Sequence, residues 1–156
     1  MKKTSIRLAL FLVALVMVLS SCTTQKKQGD LNAVYQALEE TGVLPDMLAL
    51  SEEEALDFLG LETAGIQDSV LMISEDSLLA DEVLLLRMKD KAAADTAKTL
   101  LDQRMKQKGD EARTYSPEQY AIIQRGRVLR QGLSLALLVS PQVDQLVKAY
   151  EGFEHK

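Results

Sequence analysis

Apolar residues recur at helical spacing in five segments of the chain. In the first segment, Leu31, Val34 and Leu38 share one stripe behind Asp30, a good N-cap, and Gly42 supplies a stop. Such stripes predict amphipathic helices with one face toward a core. The predicted helices occupy residues 30–42, 51–60, 90–107, 115–125 and 140–153.

Two pairs of shorter apolar segments predict β-strands. The first pair, residues 69–74 and 82–88, is separated by the acidic, loop-like sequence EDSLLAD. Residues 82–88 are apolar on both faces, which is typical of a strand in the centre of a sheet. The second pair forms a hairpin within residues 127–140 that turns around Gln131 and Gly132.

Capping residues mark the starts of two of these helices. Ser51 and Glu54 have the spacing of a capping box, and so do Ser116 and Gln119. Pro117 follows Ser116 at the first helical position, where its missing N–H does no harm. We therefore expect helices to begin directly after Ser51 and Ser116.

The pair Gly109 and Asp110 is expected to end the third helix. The element order is then ααββααββα, which predicts an α+β fold: an antiparallel sheet of about four strands with helices packed mainly on one face. Residues 30–156 are expected to form a single globular domain, because a chain of this length builds one core and not two.

A different pattern opens the chain. Lys2, Lys3 and Arg7 precede an uncharged run, LALFLVALVMVL, at residues 8–19. A membrane-spanning helix needs about 20 apolar residues, whereas the apolar part of an export signal needs only about 7–15. Residues 1–21 are therefore predicted to be a signal peptide that is removed; a buried core helix is the alternative.

The end of this run looks like the lipobox of bacterial lipoproteins, with Leu19, Ser20 and Ser21 before Cys22. The resemblance implies that the first three guide a signal peptidase and that Cys22 becomes the acylated first residue, because only a thiol can form the thioether to a diacylglyceryl group. Cys22 is the only cysteine, so no intramolecular disulfide is possible. A free buried cysteine is the alternative. Residues 22–29 would then be the lipidated cysteine and a polar tether, holding the protein at the extracytoplasmic face of the cell membrane.

Charge excludes some classes of partner. Without residues 1–21 the chain has 15 Lys or Arg and 23 Asp or Glu, a net charge of −8, which makes it a poor candidate for binding nucleic acid. One histidine, His155, and one cysteine cannot build a His/Cys metal site, and we expect no cofactor.

Residues 28–86 hold 14 acidic and no basic residues, whereas residues 87–156 hold 13 basic and nine acidic ones. Either the two halves neutralise each other on folding, or the asymmetry marks an interaction face.

Candidate catalytic chemistry is sparse. Glu53 and Asp57 share a helix face and could bind a cation or act as an acid/base pair. The alternative is that the acidic cluster favours the helix macrodipole, with Glu54 engaged in the capping box. We find no nucleophile motif, phosphate-binding glycine loop or calcium loop, so no enzyme is predicted. This acidic cluster consists of four residues near the start of the predicted helix at 51–60: Glu52, Glu53, Glu54 and Asp57.

Arginines and tyrosines offer two further candidate sites. Arg125, Arg127 and Arg130 could meet an anionic wall polymer or lipid, but strand alternation places Arg127 and Arg130 on opposite faces. The chain has no Trp, so an aromatic platform for a sugar is poorly supported. The tyrosines expected to be half-buried at the core edge are Tyr115, Tyr120 and Tyr150.

Three segments, ADEVLLLRMKD, YSPEQY and RQGLSLALLVS, resemble an uncharacterised family of small bacterial lipoproteins, classed as domain of unknown function 4358. The resemblance covers about Asp30 to Tyr150. It implies a lipoprotein with a compact domain, and it implies no catalytic residues.

The sequence thus favours a non-enzymatic, lipid-anchored module that binds an unknown protein partner. A small ligand-binding lipoprotein of a transport or sensing system is the alternative. A deep pocket with convergent polar groups is expected for ligand binding. An apolar patch with a charged rim is expected for a protein partner.

Overall fold

The computed structural model describes residues 29–59 and 65–154. Leu19, Ser20, Ser21 and Cys22 lie outside the described residues, and so do Gly60 and His155. The helices are α1 (Leu31–Glu39), α2 (Glu52–Leu59), α3 (Lys91–Tyr115), α4 (Pro117–Arg125) and α5 (Val143–Glu154). The strands are β1 (Met47–Ala49), β2 (Ile66–Ser74), β3 (Glu82–Met88), β4 (Arg127–Gln131) and β5 (Ser134–Val139).

The strands form one antiparallel sheet in the order β1-β2-β3-β5-β4. The predicted α+β class is therefore confirmed, with five strands instead of about four. The added strand, β1, has only three residues, too few for a period-2 pattern to show in the sequence. β3 is central and buried along its whole length, as its two apolar faces predicted.

Helices cover both faces of the sheet, whereas the sequence analysis placed them mainly on one. Leu84 and Leu86 of β3 point into a core with α3 and α4. Val83 and Leu85 point to the other side, into a core with α1 and α5. The physical reason is the apolar character of both faces of β3 and β5, since each face must be shielded from water.

Helix α3 continues through Gly109 and Asp110, so the predicted break there is wrong. A Cβ atom at Gly109 would lie 3.0 Å from Gln124 Nε2 and 3.7 Å from Ile123 Cγ2. The missing side chain therefore lets α4 pack closely against α3. The presence of glycine inside α3 is therefore explained by the contact with α4, which the local sequence does not reveal.

Several predicted boundaries are confirmed. Asp30 caps α1 by accepting a hydrogen bond from the Asn32 N–H at 3.0 Å, and Gly42 turns the chain with a left-handed φ of 68°. In the Ser51–Glu54 capping box, the Ser51 N–H donates to Glu54 Oε2 at 2.8 Å and the Glu54 N–H donates to Ser51 Oγ at 3.2 Å. The last helix begins at Val143, a few residues later than expected.

The two ends of β3 define the two ends of the domain. At the C-terminal end, Arg87 Nη2 donates a hydrogen bond to the Gly29 carbonyl oxygen at 2.5 Å. Phe153 of α5 packs against Gly29, where a Cβ atom would lie 2.5 Å from Phe153 Cε1. We call this the tether end, because Gly29 is the last residue of the predicted tether. The opposite, distal end contains Glu82, where β3 begins.

Candidate functional site

A cleft of about 180 Å³ opens at the distal end. It lies between the loop that joins β2 to β3, residues 75–81, and the hairpin formed by α3 and α4. We call it the distal cleft. Its walls include Ile73, Leu78, Leu79, Lys108, Glu111 and Tyr115.

A buried ion cluster fixes one wall of the distal cleft. The side chain of Glu82 is only 1 % exposed; Lys108 Nζ lies 2.5 Å from its Oε2 and Arg104 Nε lies 3.2 Å from its Oε1. Lys108 and Arg104 are one turn apart on α3, so both reach the same carboxylate. Burial would raise the pKa of Glu82, but the charges and hydrogen bonds of Lys108 and Arg104 outweigh it and hold that pKa below its ordinary value.

Asp81 is a second buried carboxylate in the wall, with 3 % of the residue exposed. Its Oδ1 has no hydrogen-bond partner among the described residues. Burial raises the pKa of Asp81, against the opposing effects of the Ser140 side chain, its own N–H and the charge of Lys108. Asp81 therefore holds a proton more readily than an ordinary aspartate.

Hydrogen bonds hold the 75–81 loop in place. Asp76 Oδ1 accepts from the Leu78 N–H at 2.9 Å, and the Asp76 N–H donates to Ser74 Oγ at 3.1 Å. Farther along, the Ala80 N–H donates to Gln119 Oε1 on α4 at 2.8 Å. The predicted Ser116–Gln119 capping box is therefore only half formed, with the Gln119 side chain bridging to this loop.

Large apolar side chains are exposed around the distal cleft. In the described part of the chain, four large apolar residues are exposed. Leu78, Leu79 and Tyr115 line the cleft and are 76 %, 38 % and 71 % exposed. The fourth, Leu48, is 53 % exposed and pairs across β1 and β2 with Ile73, which also lines the cleft. We call Leu48, Leu78, Leu79 and Tyr115 the apolar rim.

Two of the three tyrosines that were predicted to be half-buried are not. Tyr115 is largely exposed, and Tyr150 is fully buried, so the expectation of half-burial is wrong for both. Tyr120 is partly buried against the core, with the Arg113 guanidinium 5.3 Å from its ring centroid. No signal within the sequence distinguished Tyr115, because its exposure depends on where α3 ends relative to the sheet.

The predicted carboxylate cluster on α2 lies away from the distal cleft. Hydrogen bonds from Ser51 lower the pKa of Glu54, in keeping with its capping role. Glu53 and Asp57 are exposed. Within residues 29–59 and 65–154, no group of three or more His, Cys, Asp or Glu side chains could hold a metal ion.

The three candidate arginines contact three different elements. Arg125 lies 3.8 Å from Asp144 of α5, and Arg130 pairs with Asp95 of α3. Arg127 donates to the carbonyl oxygen of Arg125 at 2.5 Å, at the end of α4. The structure therefore does not gather the three guanidinium groups into one anion-binding patch.

Ion pairs between the acidic and basic halves of the chain occur at the two ends of β3. Arg87 pairs with Asp68 at 3.9 Å at the tether end. Glu82 pairs with Lys108 and Arg104 at the distal end. Residues of the central strand therefore take part in the neutralisation between the two halves.

A family model described as "Domain of unknown function (DUF4358)" matches residues 40–140 of the chain. The match contains β1 to β5 and the distal cleft. No curated protein and no solved structure is significantly similar to the chain. Among the described residues, no helix is both long and apolar enough to cross a membrane.

Proposed function

The chain belongs to the DUF4358 family, a family of unknown function, and from that premise we propose that it is a non-enzymatic interaction module. In this proposal, lipid on Cys22 anchors it to the extracytoplasmic face of the cell membrane. The distal cleft with its apolar rim is the surface that binds a protein partner.

The convergence of Leu78, Leu79 and Tyr115 on one cleft carries this proposal. Scattered single apolar residues are normal on a protein surface, whereas an apolar group rimmed by polar residues is typical of an interaction site. Leu78 lies in a loop that is joined to α4 by the hydrogen bond from the Ala80 N–H to Gln119, and its own N–H donates to Asp76 within the loop. A preformed surface of this kind loses less entropy on binding than a mobile one.

The size of the distal cleft favours a protein partner over a small ligand. Small-molecule sites usually enclose about 300–1,000 Å³. The cleft measures about 180 Å³. A larger depression of about 560 Å³ is lined by α3 alone and lies open to solvent, so it does not enclose a ligand. A ligand-binding lipoprotein is therefore the weaker candidate.

The position of Gly29 supports an orientation for the anchored module. Residues 23–29 can span at most about 25 Å, and Arg87 and Phe153 hold Gly29 at the tether end. The distal cleft lies at the other end of β3. If Cys22 is acylated, the tether end lies next to the bilayer and the cleft faces away from it.

Site-specific photo-cross-linking in intact cells tests the proposal. A photoreactive amino acid replaces Leu78 in one full-length variant and Gln36, an exposed residue of α1 on the other face of the sheet, in the matched control. We expect a discrete protein adduct from position 78 and none from position 36. Equal adducts from both positions, or none from position 78, contradict the proposal.

A further inference from the structure

The surroundings of the apolar rim are acidic. Glu75 and Asp76 are exposed in the 75–81 loop, and Glu111 is exposed on the opposite wall of the distal cleft. None of these three carboxylates forms an ion pair within the described part of the chain. We call Glu75, Asp76 and Glu111 the acidic rim.

The cations of the distal cleft do not offset the acidic rim at its surface. Lys108 and Arg104 have side chains that are mostly buried, and both pair with the carboxylate of Glu82. A buried carboxylate left without these partners is strongly unfavourable, so a ligand cannot easily draw the cations away.

From this combination we infer that the distal cleft docks a polypeptide segment in which apolar side chains are flanked by Lys or Arg. The apolar side chains of the segment cover Leu78, Leu79 and Tyr115, and its cations meet the acidic rim. Opposite charges at the edge of an interface favour encounter with the correct partner and disfavour acidic competitors. This inference rests on the proposed function and adds the chemical class of the partner.

Charge complementarity also argues against two other occupants. A second copy of this chain would bring the same carboxylates against each other, and like charges across an interface are unfavourable. An anionic bilayer surface attracts basic patches, not an acidic rim. A second copy remains a distinguishable outcome of the binding experiment.

The test uses the full-length lipoprotein in nanodiscs of phosphatidylcholine and two synthetic amphipathic peptides. The peptides share the same leucine positions; one carries lysines and the other glutamates between them. Binding is measured by fluorescence anisotropy, with empty nanodiscs as the blank. Three exposed charge contacts predict that the lysine peptide binds about tenfold more tightly than the glutamate peptide.

Two matched triple variants test whether the acidic rim causes the preference for the lysine peptide. Glu75→Gln/Asp76→Asn/Glu111→Gln neutralises the acidic rim and keeps the hydrogen-bond acceptors that Asp76 and Glu111 use. Its preference for the lysine peptide should fall to about twofold. A control with the same change in net charge, Glu53→Gln/Asp57→Asn/Glu151→Gln, alters exposed residues outside the cleft and should keep the tenfold preference.

The apolar contribution is tested by Leu78→Ser beside Leu78→Met. We expect Leu78→Ser to weaken binding of the lysine peptide about tenfold and Leu78→Met to retain it. Because Leu78 is 76 % exposed, neither change should alter folding, which circular dichroism checks.

Several outcomes overturn the inference: equal binding of both peptides, no binding of either, or the same loss in both triple variants. Self-association that the acidic-rim variant strengthens would identify a second copy as the occupant. If position 78 still gives a cross-linked protein adduct in cells, the interaction module stands and only the partner's chemical class is wrong. If that adduct is also absent, both proposals fall.

Discussion

The ammonium of Lys108 lies 2.5 Å from a carboxylate oxygen of Glu82 that is sealed from solvent at the first residue of β3. This pair, together with Arg104, fastens the second half of α3 to the sheet. Because α3 also carries Tyr115 and Glu111, the pair sets the shape of the distal cleft. The stability of the fold and the shape of the distal cleft are therefore linked through Glu82.

Replacing Glu82 should be costly. Glu82→Gln removes the carboxylate that pairs with the mostly buried side chains of Lys108 and Arg104, so we expect the free energy of unfolding to fall by about 3 kcal/mol. Urea denaturation measures the change. Lys106→Met is the control, since the Lys106–Asp110 pair lies on the exposed side of α3, where solvent screens it, and its loss should change stability far less. Similar losses in both variants would mean that burial adds nothing to the Glu82 cluster.

The stability that Glu82 contributes should decrease as the solution is acidified. Its pKa in the folded protein lies below its ordinary value of 4.5, so the unfolded chain takes up the proton first as the solution is acidified. The contribution is full above about pH 4.5 and is lost as the pH falls through the folded pKa. Unfolding free energies measured from neutral pH downward should therefore converge for the wild type and Glu82→Gln. A constant gap across this range would show that the effect is not electrostatic.

The effect of Asp81 on the free energy of unfolding should depend on pH in the opposite direction. Burial raises its pKa above the ordinary 3.8, so the charged form destabilises the folded protein at neutral pH. We expect Asp81→Asn to raise the free energy of unfolding at neutral pH, with the gain shrinking as the pH falls through the folded pKa of Asp81. The same pH series measures it. A loss of stability in Asp81→Asn at neutral pH would indicate that attraction to Lys108 outweighs the cost of burial.

Substitutions at position 109 test why the chain has a glycine in the interior of α3. Gly109→Ala places its Cβ closest to the flexible end of Gln124, with Ile123 and Tyr120 at ordinary contact distance, and it improves helix propensity, so stability should change by less than about 1 kcal/mol. Gly109→Leu must instead push against Ile123 and Tyr120 of α4, and it should cost about 1–3 kcal/mol. Thermal unfolding compares the two variants. If leucine is tolerated as well as alanine, close approach of α4 is not the reason for the glycine.

Local patterns predicted a large part of this fold. The two apolar faces of residues 82–88 indicated a central strand, and Asp30, Gly42 and the Ser51–Glu54 pair marked helix boundaries, because each signal acts within one or two turns of the chain. Residues 82–88 also implied that both faces need cover, a consequence that the predicted one-sided packing overlooked.

The candidate site depended on contacts distant in sequence. Gln119 reaches Ala80 across 39 residues, and Glu82 reaches Lys108 across 26. The sequence analysis treated EDSLLAD only as an acidic loop, since nothing within those seven residues shows that Leu78 and Leu79 are exposed beside Tyr115. Such convergence arises from the packing of α3 and α4 on the sheet.

Energy transfer to the bilayer is the most direct test of an anchored module whose cleft faces away from the membrane. Acylation of Cys22 would consume the only native thiol, so Lys91→Cys and Tyr115→Cys each add one site for a donor dye, at opposite ends of α3 and about 36 Å apart. With acceptor-labelled lipid in vesicles that carry the full-length lipoprotein, the account predicts clearly stronger transfer from position 91 than from position 115. Equal or reversed transfer would contradict the orientation. Absence of transfer from both positions, with dye found on Cys22 itself, would contradict the lipid anchor.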